Sequence, residues 1–288
     1  MFDEFLEAAW NDHADHPQEV SDRLARSLHL IAAPEHVSPF VRVVTHVYGE
    51  HLGQWARGVD LLESMRSLPA FDGGPAAAGA LTRSIATLRY CSGDIATLLP
   101  LCLEDRISVL ATAASVFGGH NNTKQAIAVY GEALRLANAE LPAGSPALRA
   151  LAAGGNNLAA ALEEKHDRDA LETDGMVIAA QGALKYWKLA GTWLEEERAE
   201  YRLTRSLLQA GRAQEAVASA ARCVAVCEQN CAPPIEVFVG HAVLALSCRA
   251  AGDAAQLAAA RAQAVALFEK LPEDERQWAQ SRLDELDA

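Results

Sequence analysis

The sequence lacks any uninterrupted apolar run of the about 18 residues that a membrane-spanning helix needs. Its first residues, MFDEFLEAAWNDHADH, are acidic and contain neither a basic region nor an apolar run of signal-peptide length, so we expect no secretory signal. No segment alternates apolar and polar residues in the way that predicts a β-strand. These absences predict an all-α, cytoplasmic protein that has no membrane partner.

Basic residues are also scarce relative to acidic ones. The 25 Lys and Arg residues are outnumbered by 38 Asp and Glu residues, and the formal net charge is −13. Because nucleic-acid binding needs clustered Lys and Arg against the phosphates, this composition predicts no DNA or RNA partner. Hydrophobic residues make up 50% of the 288 positions, which is sufficient for a sizeable core.

Recognisable catalytic signatures are absent too. The glycine-containing segments GGHNN and AAGGNN neither follow a predicted strand nor contain the Lys-Ser/Thr pair of a phosphate-binding loop. No Ser-His-Asp or Cys-His arrangement has the local signature of a nucleophilic enzyme. We therefore predict that the protein is not an enzyme and uses no cofactor.

The six cysteines lie inside helical patterns and not in a loop framework, so we interpret them as cytosolic thiols. Cys223, Cys227 and Cys231 recur every four residues and share one side of a predicted helix, where His241 could be a fourth metal ligand. This spacing differs from the CxxC pairs of structural zinc sites. A small hydrophobic role in the core is the simpler interpretation.

Six of the nine histidines lie in the first 51 residues: His13, His16, His29, His36, His46 and His51. The segment HVYGEH, from His46 to His51, is one residue longer than the HxxEH motif of zinc peptidases and does not fit HExxH. We therefore predict no metal ligands. A metal-dependent enzyme that uses these histidines remains an alternative.

What the sequence does contain is a repeated helical pattern. The stretch from Leu194 to Phe268 consists of two copies of a unit in which a glycine-centred turn joins two amphipathic segments. The turn glycines, Gly211 and Gly252, are 41 residues apart. Self-similarity at a fixed period predicts stacked antiparallel helical hairpins. Further turns are predicted at Gly53 and at Asn121, because asparagine tolerates the left-handed conformation that glycine usually supplies.

The chain divides into four predicted segments. These are N-terminal helical hairpins at 1–70, a loop at 71–80, a repeat array at 81–270 and a capping helix at 271–288. The polar sequence PEDERQWAQSRLDELDA suits the last segment to cover the open end of a helical stack. We expect one continuous solenoid.

The hairpins resemble tetratricopeptide repeats, in the longer-spaced form found in kinesin light chains and similar bacterial proteins. That family places small residues before and after the turn glycine, where helices approach closely. The Gly211 unit matches at Thr204, Ala216, Ala220 and Cys223, and the Gly252 and Asn121 units match in the same way. The resemblance implies an α-α superhelix, with a HEAT-like solenoid as the alternative.

The resemblance also implies a binding site on the first helix of each hairpin, which lines the concave groove. Counted back from Gly211, and from His166 in the turn position of the preceding unit, the predicted ligand-binding residues are Asn156, Asn157, Arg198, Tyr201, Arg202 and Arg205. Asparagine offers a donor and an acceptor to a peptide backbone, and the arginine fork suits a carboxylate. The alternative is an ordinary ion-paired surface, because four glutamates of the same helix lie within reach: Glu195, Glu196, Glu197 and Glu200.

These patterns predict a scaffold that binds a protein or peptide segment in its groove, through an acidic side chain or a C-terminal carboxylate. One alternative is a regulatory sensor domain that binds a signalling peptide or a small ligand. Another is a structural assembly protein, which is compatible with a homo-oligomer.

Overall fold

The chain is helical in a computed structural model that describes residues 1–138 and 141–287. Ala139 and Glu140, within the predicted repeat array, and Ala288, the last residue of the predicted capping helix, lie outside the described residues. No strand occurs in the described ranges, so the all-α prediction is confirmed.

The helices form two compact units, Met1–Leu158 and Ala159–Ala288. The helices that begin in the first unit are α1 (Phe2–Asp12), α2 (Pro17–Arg26), α3 (Val37–Val44), α4 (Trp55–Ser64), α5 (Pro75–Cys91), α6 (Leu103–Gly119), α7 (Thr123–Leu136) and α8 (Pro146–Glu164), the last of which ends in the second unit. The second unit continues with α9 (Ala170–Ala190), α10 (Trp193–Gln209), α11 (Ala213–Gln229), α12 (Pro234–Ala251), α13 (Ala254–Phe268) and α14 (Glu273–Asp284).

Two predicted boundaries shift in the structure. The predicted loop at 71–80 ends at Gly74, because Pro75 takes the first helical position of α5, which suits its fixed φ and its missing N–H group. At the other end of the chain, α14 begins at Glu273 with Pro272 as its N-cap, within the predicted capping segment.

The predicted hairpin turns are confirmed at four positions. Gly53, Asn121, Gly211 and Gly252 all have left-handed backbones, with φ of +60°, +58°, +72° and +76°. After three of these turns the backbone N–H group bonds back to the carbonyl five residues earlier, for example from Arg212 to Leu207 at 2.9 Å. This motif ends a helix and satisfies its last carbonyls.

His166, which was predicted to take the turn position after α8, does not adopt a left-handed backbone. The helix ends differently, because Arg168 Nη1 donates to the carbonyls of Leu162 and Glu163 at 2.6 and 3.0 Å. A side chain thus replaces the backbone bonds that close the other turns.

Small residues at the repeat positions lie in the core. Fully buried examples are Ala114, Ala126, Ala133, Thr204, Ala216, Ala220, Cys223, Ala245 and Ala264. Because they carry little side-chain volume, the paired helices α6 and α7, α10 and α11, and α12 and α13 can pack closely.

The segment VRVVTHV, within the predicted N-terminal helical hairpins, is helical, but its second half is not an α-helix. Thr45–His51 forms a π-helical segment that continues α3, and the Leu52 N–H group donates to the Val47 carbonyl at 3.1 Å. This segment lies against α6, where a Cβ atom on Gly119 would come within 2.7 Å of the Glu50 carbonyl oxygen. Glycine is therefore needed at position 119 for this close approach.

One helix among the described residues, Pro234–Ala251, is long and apolar enough to cross a membrane by length and composition. A core helix of a soluble protein passes the same test. This helix, α12, packs between α11 and α13, and its buried residues include Phe238 and Val243.

Candidate functional site

The two predicted asparagines lie near the end of the first unit, on α8. Asn157 Nδ2 donates to Ser115 Oγ at 2.9 Å and to Glu50 Oε2 at 3.4 Å, and Asn156 Nδ2 donates to Asn157 Oδ1 at 3.4 Å. Asn157 is thereby connected to both α6 and the π-helical segment. The structure brings Asn156 and Asn157 together and presents Asn157 to a pocket of the first unit.

The other four predicted residues lie on α10 in the second unit, where each arginine has a carboxylate partner. Arg198 pairs with Glu236 at 2.8 Å, Arg202 with Glu163 at 2.6 Å, and Arg205 with Glu285. Tyr201 packs against the apolar cluster of this unit. The three guanidinium groups are therefore engaged within the protein.

The close ion pairs of these arginines in the described residues are with Glu236, Glu163 and Glu285, none of which lies on α10. Glu196 pairs with Lys188 at 3.4 Å, and Glu200 is buried and accepts from Arg222 at 2.9 Å and from Ser219 Oγ at 2.6 Å. The arginines are thus ion-paired, as the alternative interpretation proposed, but with partners from other elements that only the tertiary fold brings near.

The predicted cysteine row is split between core and surface. Cys223 and Cys227 are buried, whereas Cys231 is exposed. Burial raises the pKa of the Cys223 thiol and raises the pKa of Cys227 to about 12. Because metals bind the thiolate, both thiols are poor ligands, in agreement with the core interpretation.

A cavity of the first unit has a volume of about 630 Å³. Its walls are formed by α3, the π-helical segment, α5, α6 and α8, with Trp10 of α1 at one side. Alanines on α5 and α8, among them Ala80 and Ala153, leave the space open because their side chains are short. The cavity is of the size that small ligands or peptide ends occupy, roughly 300–1,000 Å³.

Three arginines give this pocket a cationic wall: Arg42, Arg83 and Arg149. Arg83 pairs with Asp105 at 2.9 Å. Arg42 forms no hydrogen bond or ion pair with any residue in the ranges that the structure describes. The Arg42 side chain is exposed to solvent, and partial desolvation at the pocket wall, and then the charge of Arg149, lower the pKa of its guanidinium. An anion bound here would relieve this repulsion.

Hydroxyl groups form much of the remaining polar wall. Four of them donate to the carbonyl four residues earlier in their own helix, at 2.8–2.9 Å: Thr45, Thr87, Ser108 and Thr112. Since the hydroxyl proton is used, the oxygen lone pairs remain as acceptors. The pocket thus offers acceptors beside a cationic wall.

The same repeat count that selected Asn157 also selects pocket residues on α6. Counted back from Asn121, Ser108 and Thr112 stand at inward positions, and Ala153 and Asn157 do so in the next hairpin. Arg83 lies ten residues before Gly93, a left-handed turn that was left out of the count, and Arg42 lies eleven before Gly53, between inward positions, so sequence reasoning missed both. The excess of acidic residues in the chain gave no signal for a local group of arginines.

Beside the pocket lies a cluster of three half-buried histidines, His13, His46 and His51. One nitrogen from each lies within 4.8 Å of the others. His46 Nε2 is 3.1 Å from His51 Nε2, and His46 also lines the pocket together with Glu50. Trp10 stands against both His13 and His46, with ring centroids 5.3 and 5.2 Å away.

The sequence prediction of no metal ligands compared this segment with zinc-peptidase motifs that place two histidines four residues apart, whereas His46 and His51 are five apart in a π-helical segment. A π-helix bonds residue i to i+5, so residues five apart lie above one another. His46 and His51 therefore share a face that an α-helix would deny them. Burial, and then the charges of His46 and His13, lower the pKa of His51 to about 4. The crowding of histidines in the first 51 residues was the one signal that pointed to this cluster.

Comparison with known proteins adds no assignment: no family model and no curated protein matches this chain.

Proposed function

We propose that this chain is a non-enzymatic binding protein built of tetratricopeptide-like helical hairpins, in which the pocket of the first unit takes the acidic or C-terminal carboxylate group of a protein or peptide segment. The observation that carries the proposal is the wall of the 630 Å³ pocket, where Arg42 faces Arg149 without a carboxylate partner of its own among the described residues. A carboxylate would accept both hydrogen bonds of the Arg42 fork.

The hydroxyl acceptors and Asn157 suit the rest of such a ligand. Peptide N–H groups need acceptors, and the oxygens of Ser108 and Thr112 have lone pairs to offer. Both residues stand at the inward positions that the tetratricopeptide resemblance implies. The arginine face of α10 is a weaker candidate for the carboxylate, since Arg202 and Arg205 already bind glutamates.

The pocket volume favours the sensor alternative as a second candidate. A cavity of about 630 Å³ encloses a small ligand or the end of a peptide, but not a long folded segment. A cytoplasmic location, the absence of nucleic-acid and membrane partners and a scaffold role all remain predictions from the sequence.

A peptide array tests the proposal. We expect the chain to bind members of a random peptide library that end in a free carboxylate and to lose binding to the same peptides as C-terminal amides. Arg42→Gln should weaken binding by about tenfold to a hundredfold, because one charge-assisted contact is worth roughly 1.5–3 kcal/mol.

Arg57→Gln is the matched control, since Arg57 lies in the same unit outside the pocket and bonds Gln54 at 2.5 Å. Equal binding of the acid and amide peptides would show that the C-terminal carboxylate is not the bound group and leave only an acidic side chain, and an Arg42→Gln variant that binds as well as the parent would refute the carboxylate site. Binding of small anionic metabolites with no peptide binding would favour the sensor.

A further inference from the structure

The histidine cluster has the geometry of a metal site. Three tetrahedral ligands about 2.0–2.1 Å from a zinc ion stand roughly 3.3 Å apart. His46 Nε2 and His51 Nε2 are 3.1 Å apart, and the nitrogen of His13 completes a triangle whose sides do not exceed 4.8 Å. His13 is the C-cap residue of α1.

One of the three imidazoles already has the tautomer that metal binding needs. His13 Nδ1 donates to the Trp10 carbonyl at 2.5 Å, and because a carbonyl can only accept, the proton sits on Nδ1 and the lone pair on Nε2. His46 Nδ1 lies 3.1 Å from Glu50 Oε1, whose negative charge favours a proton on the same nitrogen of His46. Metal-bound histidines are oriented in the same way, by an oxygen acceptor on the second ring nitrogen.

The backbone around the cluster is supported from outside the π-helical segment. The Gly49 carbonyl accepts from His120 Nε2 at 2.7 Å and from Trp55 Nε1 at 3.4 Å. Asn157 Nδ2 contacts the second oxygen of Glu50 at 3.4 Å. These bonds from other helices hold the segment in the register that stacks His46 on His51, and π-helical turns are frequent at functional sites.

We propose that His13, His46 and His51 bind one divalent zinc ion at the wall of the first-unit pocket. Imidazole nitrogen is a preferred zinc ligand, and three protein ligands leave one coordination position for water or for a group in the pocket. Glu50 is a positioning residue that orients His46. The site rests on the histidine cluster alone and does not depend on the carboxylate ligand proposed above.

Zinc binding by the untagged, chelator-treated full chain tests this site, with the ion counted by mass spectrometry and its affinity measured by calorimetry. The expected result is one zinc ion per chain. His46→Ala/His51→Ala should weaken binding by about a hundredfold or more, and Glu50→Gln by about tenfold.

The matched control is His16→Ala/His29→Ala, which removes two exposed histidines of the same region and should keep the parent affinity. Absence of zinc binding by the parent, or equal binding by the His46/His51 double variant, would overturn the proposal.

X-ray absorption of the zinc-loaded parent needs no variant and so does not depend on how the variants fold. We expect imidazole nitrogens at about 2.0 Å from the ion. Sulfur neighbours at about 2.3 Å would place the ion at the cysteines and refute the histidine site.

Discussion

Glu197 on α10 provides the sharpest test of the electrostatics of the second unit. Its side chain is only 1% exposed. Cys223 Sγ donates to Oε1 at 3.1 Å, and Oε2 has no hydrogen-bond partner among the described residues. Burial raises the pKa of this carboxyl from its ordinary value of 4.5 to about 7, and the thiol hydrogen bond opposes that shift. The folded protein therefore keeps a proton that the unfolded chain releases.

The size and sign of the pH dependence of stability follow from this difference in proton binding between the folded and unfolded states. Between pH 4.5 and about 7 the folded state binds more protons than the unfolded state, so the free energy of unfolding falls as the pH rises. A shift from 4.5 to about 7 corresponds to roughly 3 kcal/mol, present below pH 4.5 and lost above about pH 7. Glu197→Gln replaces the titrating group with a neutral amide of the same shape. We expect Glu197→Gln to remove most of the fall in the free energy of unfolding as the pH rises.

Urea unfolding followed by circular dichroism, at several pH values between about 5 and 8, measures the slope for the parent and the variant. The control is Glu196→Gln, which changes a more exposed glutamate on the same helix and should keep the parent slope. Parallel slopes for the parent and Glu197→Gln would refute the argument that burial controls this carboxyl.

Two further substitutions test packing and ion pairing, each against a matched control in urea unfolding. Gly154→Ala places a Cβ atom 2.3 Å from a backbone oxygen of α6 and should lower the free energy of unfolding by about 2–3 kcal/mol. The control, Gly131→Ala on α7, meets open space and should raise the free energy of unfolding by up to about 1 kcal/mol. Similar effects of the two changes would contradict the close helix contact. Arg202→Ala leaves Glu163, whose side chain is 8% exposed, without its cation and should cost about 2 kcal/mol. Arg198→Ala removes a side chain that is 63% exposed and should lower the free energy of unfolding by less than about 1 kcal/mol. Equal losses for the two arginine variants would show that burial does not set the strength of these ion pairs.

Much of the helical architecture follows from local patterns. The turns at Gly211, Gly252 and Asn121 were predictable because a left-handed residue ends a helix wherever it occurs, and the structure confirms each of them. The turn near His166 was also predicted and lies between the end of α8 at Glu164 and the start of α9 at Ala170, but its closure through the side chain of Arg168 was not. A long, flexible side chain has no fixed spacing to its target, so the sequence carries no pattern for it.

The candidate site was predicted only in part. Asn157 was found through the repeat count, and it lines the pocket as an inward residue should. Arg83 was missed because the turn at Gly93 was not counted, although Arg83 lies ten residues before it, and Arg42 was missed because it lies eleven residues before Gly53, between inward positions. The arginines of α10 were singled out correctly as a charged face, but their glutamate partners come from helices distant in sequence, such as Glu285 for Arg205.

By itself, the sequence determines the all-α class, the hairpin turns and the small buried residues of this protein. Each of these depends on residues a few positions apart, whose spacing the helix geometry translates directly into structure. Only the tertiary structure decides which polar groups converge. Glu50 and Asn157 meet across 107 residues. The contact between His46 and His51 depends on a π-helical register that packing against α6 and bonds from His120 and Trp55 support, so no count along an α-helix could have paired them.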